Sequence, residues 1–298
     1  MIKVQCPAKI NLFLEVTGKR KDGYHTLATL FAKVNIYDVL EMEANMSGKP
    51  ELEIADELGF ETLSAGPDNL VLKAAAAFFR AFRIGQGVKI RLIKRIPMGA
   101  GLCGGSSDAA GTLLGLLKLY DMAPTGARME KLRKIAKKLG ADVPFFLHPA
   151  NFCLGTGIGD RLKPIKIEKS LPYMVLAWPG VGSPTGPVYT ALPPRTRADV
   201  LTRKSQLHKL VNQLKRGRSV EEWGGLLFNR LEEAQVPVLE KEVAQARRIL
   251  AAAGAKGVRM SGSGSSVFGF VASHAEGERV VGRLKGYPWK VYLTSCLG

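Results

Sequence analysis

The sequence predicts an α+β protein in two parts, and three observations lead there. Strand-like alternation near the start is followed by a glycine-rich loop, 97–107, that opens an apolar helix. The second half repeats strand and helix signals in the order β-α-β-β-α-β, a split β-α-β plan with extra helices. With 298 residues, 46% of them apolar, the chain can bury a core in each part.

In chain order, residues 2–16 and 33–43 alternate enough to read as strands. Asp68 and Asn69 are placed to cap a helix that runs from Leu70 to Arg80. Val88, Ile90, Leu92 and Lys94 then share one face of a period-two strand that feeds the glycine loop. The loop's helix continues to Leu119. A basic helix follows, with Met129, Leu132, Ile135, Ala136 and Leu139 on its apolar face and Gly140 as its C′ stop. After a boundary near residue 160, between a part at 1–160 and a part at 161–298, comes a strand at 173–178. Helices are expected at 199–215, 220–234 and 238–253, the last closed by Gly254. Strands at 257–260 and 267–272, a helix at 274–285 and a strand at 289–294 complete the second part. No internal repeat is present.

Composition narrows the function. Forty-three Lys and Arg against 26 Asp and Glu give a net charge of +17, which raises the question of nucleic acid. The charge is dispersed, however, and its densest run, Lys131 to Lys138, is the solvent face of the basic helix. A basic surface that suits anionic small molecules is therefore expected, without specific nucleic-acid recognition. No apolar run approaches a membrane span and no signal or transit segment is recognisable. Cys6, Cys103, Cys153 and Cys296 are scattered without a CxxC pair, as free thiols of a cytoplasmic protein would be.

The densest chemistry lies in the stretch Pro97, Met98, Gly99, Ala100, Gly101, Leu102, Cys103, Gly104, Gly105, Ser106 and Ser107. Four glycines let backbone N–H groups converge, and a helix start adds its dipole, so the loop suits nucleotide phosphates. Ser106 and Ser107 can cap the helix, bind phosphate or bind Mg2+, and Asp108 is expected in the first turn, where the dipole favours it. Gly99, Gly101 and Gly104 also fit a dinucleotide fingerprint, but no acidic strand end follows at the right distance. A Gly-Lys-Ser/Thr of the P-loop is absent as well. A tight strand-to-helix connection is the plainer account of such a turn. A second donor-rich loop spans Ser261 to Ser266. Asp142 stands among apolar neighbours, where a carboxylate is either a turn cap or in use. Lys9, in an apolar strand, reads as an edge lysine or as a functional one. The turn at Asp22 and Gly23 presents Tyr24 and His25. No histidine has metal-ligand spacing, so zinc is not expected.

Taken together these segments resemble the three signature motifs of the GHMP kinases: 7–14, 97–110 and 260–269. Stretches 20–26, 68–71, 139–144 and 155–159, with Pro179, Pro184, Thr185 and Tyr189, are similar to a member that phosphorylates a cytidine diphosphate-linked methylerythritol. The resemblance implies a ribosomal-S5-like N-terminal domain and a ferredoxin-like C-terminal domain, with ATP and Mg2+ as cofactors. It implies that Asp142 is the catalytic base, that Lys9 orients it and the nucleophile, and that residues 97–107 bind ATP. Asn11 and Thr185 match substrate-contacting positions, Tyr24 and Tyr189 a cytosine sandwich, and His25 a reader of the base edge. Cys103 stands where glycine is usual in the family, and Arg230 where aspartate is usual. At Cys103 a negative φ is expected, since a β-carbon disfavours the left-handed region; its thiol is either reactive beside the helix start or turned inward as a small apolar filler.

Overall fold

A computed structural model of the protein describes residues 1–59 and 63–298. The chain forms two compact units, each made of separate segments. The first comprises Met1–Ala8, Ile36–Met98 and Cys103–Pro149, and the second Lys9–Asn35, Gly99–Leu102 and Ala150–Gly298. Strands β1 (Ile2–Lys19) and β2 (His25–Asn45) each contribute one end to the first unit and the other to the second.

In the first unit the later half of β2 pairs antiparallel with β4 (Gly87–Lys94), Met42 opposite Ile90, and β3 (Pro50–Asp56) runs parallel to β4 at the edge. Val88, Ile90, Leu92 and Lys94 are all buried, as the period-two reading requires. Helix α1 (Leu70–Phe82) buries Val71, Ala74, Ala75, Phe78 and Phe79, the i, i+3, i+4 stripe of a helix with one apolar face. Asn69 caps it, its side-chain oxygen accepting from Val71 N at 2.9 Å. Helix α2 (Gly104–Leu119) is buried on most sides, so its position is fixed by packing all round. Truncating Leu113 or Leu116, both fully buried, to Ala is worth roughly 2–5 kcal/mol of stability each. Helix α3 (Gly126–Leu139) buries Leu132 and Ala136 and ends at Gly140, whose φ of 170° is extended backbone. The glycine therefore stops the helix without the left-handed turn expected of it. A short α4 (Val143–Leu147) follows.

The second unit holds a four-stranded antiparallel sheet in the order β11-β7-β10-β9. Its strands are β7 (Tyr173–Trp178), β9 (Lys256–Met260), β10 (Val267–Val271) and β11 (Lys290–Thr294), with α8 (Ala244–Ala252) and α9 (His274–Leu284) as the two crossover helices. This is the expected split β-α-β order. Every residue of β10 is buried, which is why its sequence reads as a continuous apolar run. The first half of β2 pairs with β5 (Phe152–Thr156), which pairs in turn with β6 (Arg161–Pro164). Helices α5 (Thr185–Thr190), α6 (Arg197–Lys215) and α7 (Val220–Trp223) complete the unit.

One expected helix is corrected. The stretch 220–234 breaks after Trp223 into a 3-10 turn, a two-residue strand β8 (Phe228–Asn229) and a second 3-10 turn. The β8 strand runs parallel to β1, with Phe13 opposite Phe228. Asn229 drives the break: its side-chain oxygen accepts from Leu231 N and its amide donates to Met260 O and Gly262 O, both at 2.8 Å. Such side-chain bonds compete directly with helix. Among the described residues no helix is long and apolar enough to cross a membrane.

Candidate active site

The ends of the glycine loop belong to the first unit. Where β4 runs out, Asp38 Oδ1 accepts from Arg95 N at 2.6 Å and from Ile96 N at 2.9 Å, fixing the chain just before Pro97. Asp38 Oδ2 accepts from Lys94 Nζ at 2.5 Å, and the same ammonium reaches Asp108 Oδ2 at 3.0 Å. All three side chains are buried. Burial, helped by the nearby Asp38 charge and opposed by Lys94, pushes the Asp108 carboxyl up to about 8. Burial alone would lower Lys94, but its two carboxylates hold it above the ordinary lysine value.

Asp108 thus lies one turn beyond the place expected for it: it is the fifth residue of α2, and it faces Lys94 instead of complementing the helix start. Neither serine caps the helix. The N-cap is Cys103, which makes no side-chain capping bond. Ser107 N bonds Cys103 O, so the N–H groups of Gly104, Gly105 and Ser106 precede the first intrahelical bond and are available to an anion. Ser107 Oγ and Asp108 Oδ1 are buried without a hydrogen-bond partner among the described residues. A cavity of about 300 Å3 opens beside Gly105, lined by Ser64, Asn69, Leu70, Leu92 and Met98 with Lys94 and Asp108. Asp38, Lys94, Leu63 and Ser64 were not among the site residues expected from sequence, whereas Asp68, Asn69 and Leu70 of the cavity wall were read there as a helix start. The buried face position of Lys94 was the one local signal.

Asp142, also in the first unit, precedes α4 with φ −89° and ψ −15° and makes no capping bond of its own. Its carboxylate Oδ2 instead accepts from the Cys103 thiol at 2.8 Å. The backbone expectation for Cys103 is overturned: φ is 55° and ψ 35°, in the left-handed region.

The second unit holds the middle of the loop, Gly99 to Leu102. Ser183 N donates to Gly99 O at 2.8 Å, Ser266 N to Ala100 O at 3.1 Å and Ser261 Oγ to Gly101 O at 2.9 Å. The approach is close enough that a β-carbon on Gly101, itself at φ +74°, would sit 1.9 Å from Ser261 O. Only glycine fits. The second glycine-serine loop, the connection between β9 and β10, is therefore a clasp for the first. Asn229 holds it from the other side. Lys9 is buried, and its Nζ donates to Asn11 Oδ1 at 2.7 Å and Gly101 O at 2.9 Å. Asn11 in turn donates to Thr29 Oγ1 at 2.8 Å. The backbone N–H of Lys9 donates to Leu102 O at 3.0 Å, so Lys9 is covered by the glycine loop and the account of it as an open-edge lysine does not apply.

Of the other expected residues, Thr185 Oγ1 lies 3.0 Å from Ser263 Oγ in the clasp loop, at the start of α5. Tyr189 at the far end of α5 stacks on His25, centroids 5.0 Å apart and planes at 24°. Burial, with the Lys19 charge adding, lowers the His25 pKa from the ordinary histidine value. Tyr24 is 60% exposed, in a turn closed by Asp22 Oδ1 accepting from its N–H.

Comparison with known proteins follows this division. A family model of the GHMP kinases N terminal domain matches residues 69–149, and one of the GHMP kinases C terminal matches 207–288. The chain is 36% identical, over its full length and 98% of the relative's, to a 4-diphosphocytidyl-2-C-methyl-D-erythritol kinase of Exiguobacterium sibiricum. A crystal structure of 4-(cytidine 5'-diphospho)-2C-methyl-D-erythritol kinase superimposes with a TM-score of 0.75 at 34% identity, all of both chains covered. A homoserine kinase of Cytophaga hutchinsonii gives a TM-score of 0.77 at 19% identity over 99% of this chain and 94% of its own, which is a likeness of fold.

Proposed function

Because the chain belongs to the GHMP kinase family, whose members use ATP, we propose that it transfers the γ-phosphoryl group of ATP to the 2-hydroxyl of 4-diphosphocytidyl-2-C-methyl-D-erythritol. This is a step of the non-mevalonate route to isoprenoid precursors. The observation that carries the reading is similarity along the whole chain to proteins of that name, whereas the homoserine kinase shares the fold at 19% identity.

In this reading Asp142 accepts the proton of the attacking hydroxyl. Lys9, held by Asn11 and Gly101 O, orients the nucleophile, and Asn11 contacts the substrate. The loop from Pro97 to Ser107, with the free N–H groups at the start of α2, cradles the phosphates. Phosphoryl transfer asks a protein chiefly for such positioning and electrostatic stabilisation. The cavity beside Gly105 is large enough for the purine. Thr185 binds the substrate's diphosphocytidyl end, Tyr24 and Tyr189 sandwich the cytosine, and His25 reads its edge. Since His25 lies flat on Tyr189, binding requires that its ring swing away from the tyrosine. A magnesium ion fits this arrangement. It takes one or two protein oxygens alongside nucleotide phosphates, and Ser106 with the unpartnered Ser107 Oγ are oxygen donors at the right end of α2. When bound, it neutralises phosphate charge. The free thiols suit a reducing compartment, and the cytoplasm is the proposed location.

Two assays test the reading. The purified protein is expected to phosphorylate the cytidine-linked substrate and to leave free methylerythritol phosphate and mevalonate untouched. Equal efficiency on any of the three would transfer the assignment to another member of the family. Asp142→Asn is expected to lower kcat by roughly 10²–10⁴ while ATP affinity stays within a few-fold. Retention of half the wild-type single-turnover rate would remove Asp142 from the role of base.

A further inference from the structure

Cys103 and Asp142 share an unusual feature: each sits at the N-cap of a helix, and neither side chain caps its helix. They face each other instead, Cys103 Sγ 2.8 Å from Asp142 Oδ2. Cys103 does this from a left-handed backbone, φ 55°, which disfavours any residue with a β-carbon and which glycine adopts freely. The local conformation thus argues for glycine, and the side chain present there makes a specific contact with one carboxylate oxygen. Both residues are half-buried, so solvent does not fully screen the contact. A residue held against its backbone preference beside a proposed catalytic group points to a function for its side chain.

We propose that Cys103 is a positioning residue for Asp142. The S–H group donates to Oδ2 and fixes the rotation of the carboxylate, so that Oδ1 is the oxygen turned to the substrate hydroxyl. The proposal rests on the reading of Asp142 as the base. Its consequence is geometric: a fixed orientation raises the fraction of encounters in which the acceptor oxygen is aligned. No electron transfer or covalent step is involved; the thiol keeps its proton throughout.

The test is the single-turnover rate and the KM for ATP of the wild type, Cys103→Ser, Cys103→Ala and Cys103→Gly, with the melting temperature of each. Alanine and glycine remove the donor. Both are expected to lower the single-turnover rate roughly 3–10-fold with the KM for ATP unchanged. Serine keeps an O–H donor and is expected to restore most of the rate. Glycine also relieves the backbone and is expected to melt above alanine. A merely structural cysteine would give the reverse pattern, with the glycine variant normal in rate. The proposal is overturned if alanine and glycine share the wild-type rate, or if serine follows alanine. The underlying assignment fails separately, on Asp142→Asn: if that variant keeps its rate, Asp142 is not the base. If it is inactive while all four Cys103 forms coincide, only the positioning role is lost.

Discussion

Each unit holds a cluster of charge around a buried carboxylate, and the two clusters are composed differently. In the first, Asp38 and Asp108 share a single cation, Lys94. In the second, Glu15 and Glu233 are matched by Arg195 and Arg230: Arg195 bonds Glu15 at 2.7 Å and Glu233 at 2.5 Å, and Arg230 pairs with Glu233 and lies 3.8 Å from Glu15. A buried set with one carboxylate too many resolves the excess by holding a proton, and Asp108, up at about 8, is where it resides. A balanced set built on guanidinium needs no such proton, because arginine does not give its own up near neutrality. Burial still raises Glu15, but Arg195 and Arg230 oppose it. Of the two clusters, the one beside the glycine loop therefore titrates nearer neutrality. The comparison also gives Arg230 its part: an aspartate in its place would add a third carboxylate to Glu15 and Glu233 and remove one of their cations.

The comparison breaks most visibly at Lys94. Lys94→Met would leave two buried carboxylates facing each other, at a cost of about 3–5 kcal/mol. It would also loosen the clamp on the loop entrance. Thermal unfolding is expected to drop by on the order of 10 °C at pH 8 and by clearly less at pH 5, where the acids can take up protons. The KM for ATP is expected to rise. A loss of the same size at both pH values would contradict the placing of a proton in this cluster.

Arg230→Met should cost less, about 2–3 kcal/mol, because Arg195 still satisfies Glu15 and Glu233 is partly exposed. Urea unfolding measures it, and a loss below about 0.5 kcal/mol would make this ion pair dispensable. The finest distinction is Asp108→Asn. The folded-state pKa of Asp108 lies above the ordinary 3.8, so its stabilising contribution is complete below about pH 4 and is lost as pH rises through about 8. The wild-type melting temperature is expected to fall between pH 5 and pH 9, and the Asn variant to lose that slope and overtake the wild type at pH 9. Parallel curves for the two proteins would place the titration elsewhere.

Much of this was readable from spacing. The period of two in β4, the stripe of α1 and the strand order of the second unit follow from residues near one another in sequence. Short or poorly buried pieces were not readable: β3 is a half-exposed edge strand, and the four residues of β6 are largely exposed. The expected helix at 220–234 fails on Asn229, whose decisive partners lie about thirty residues further on. The loops, Lys9 and Asp142 announced themselves as motifs or as charge in apolar surroundings. Asp38 did not, because its importance depends on Lys94, 56 residues away. At Cys103 the general preference for negative φ pointed the wrong way, since a contact with Asp142 is invisible in local sequence.

The way the chain weaves between its units sets a timetable for synthesis. It passes from one unit to the other five times. Lys9 leaves the ribosome early, yet its acceptor Gly101 is 92 residues behind it. Beyond that, β8, the neighbour of β1, begins only at Phe228. At about 5–20 residues per second, the roughly 215 residues between Phe13 and Phe228 take some 10–40 s to appear. For that interval an apolar strand waits without one of its neighbours, a natural client for a chaperone. The clasp loop at 261–266 arrives later still, so premature termination anywhere upstream of it leaves the middle of the glycine loop unclasped.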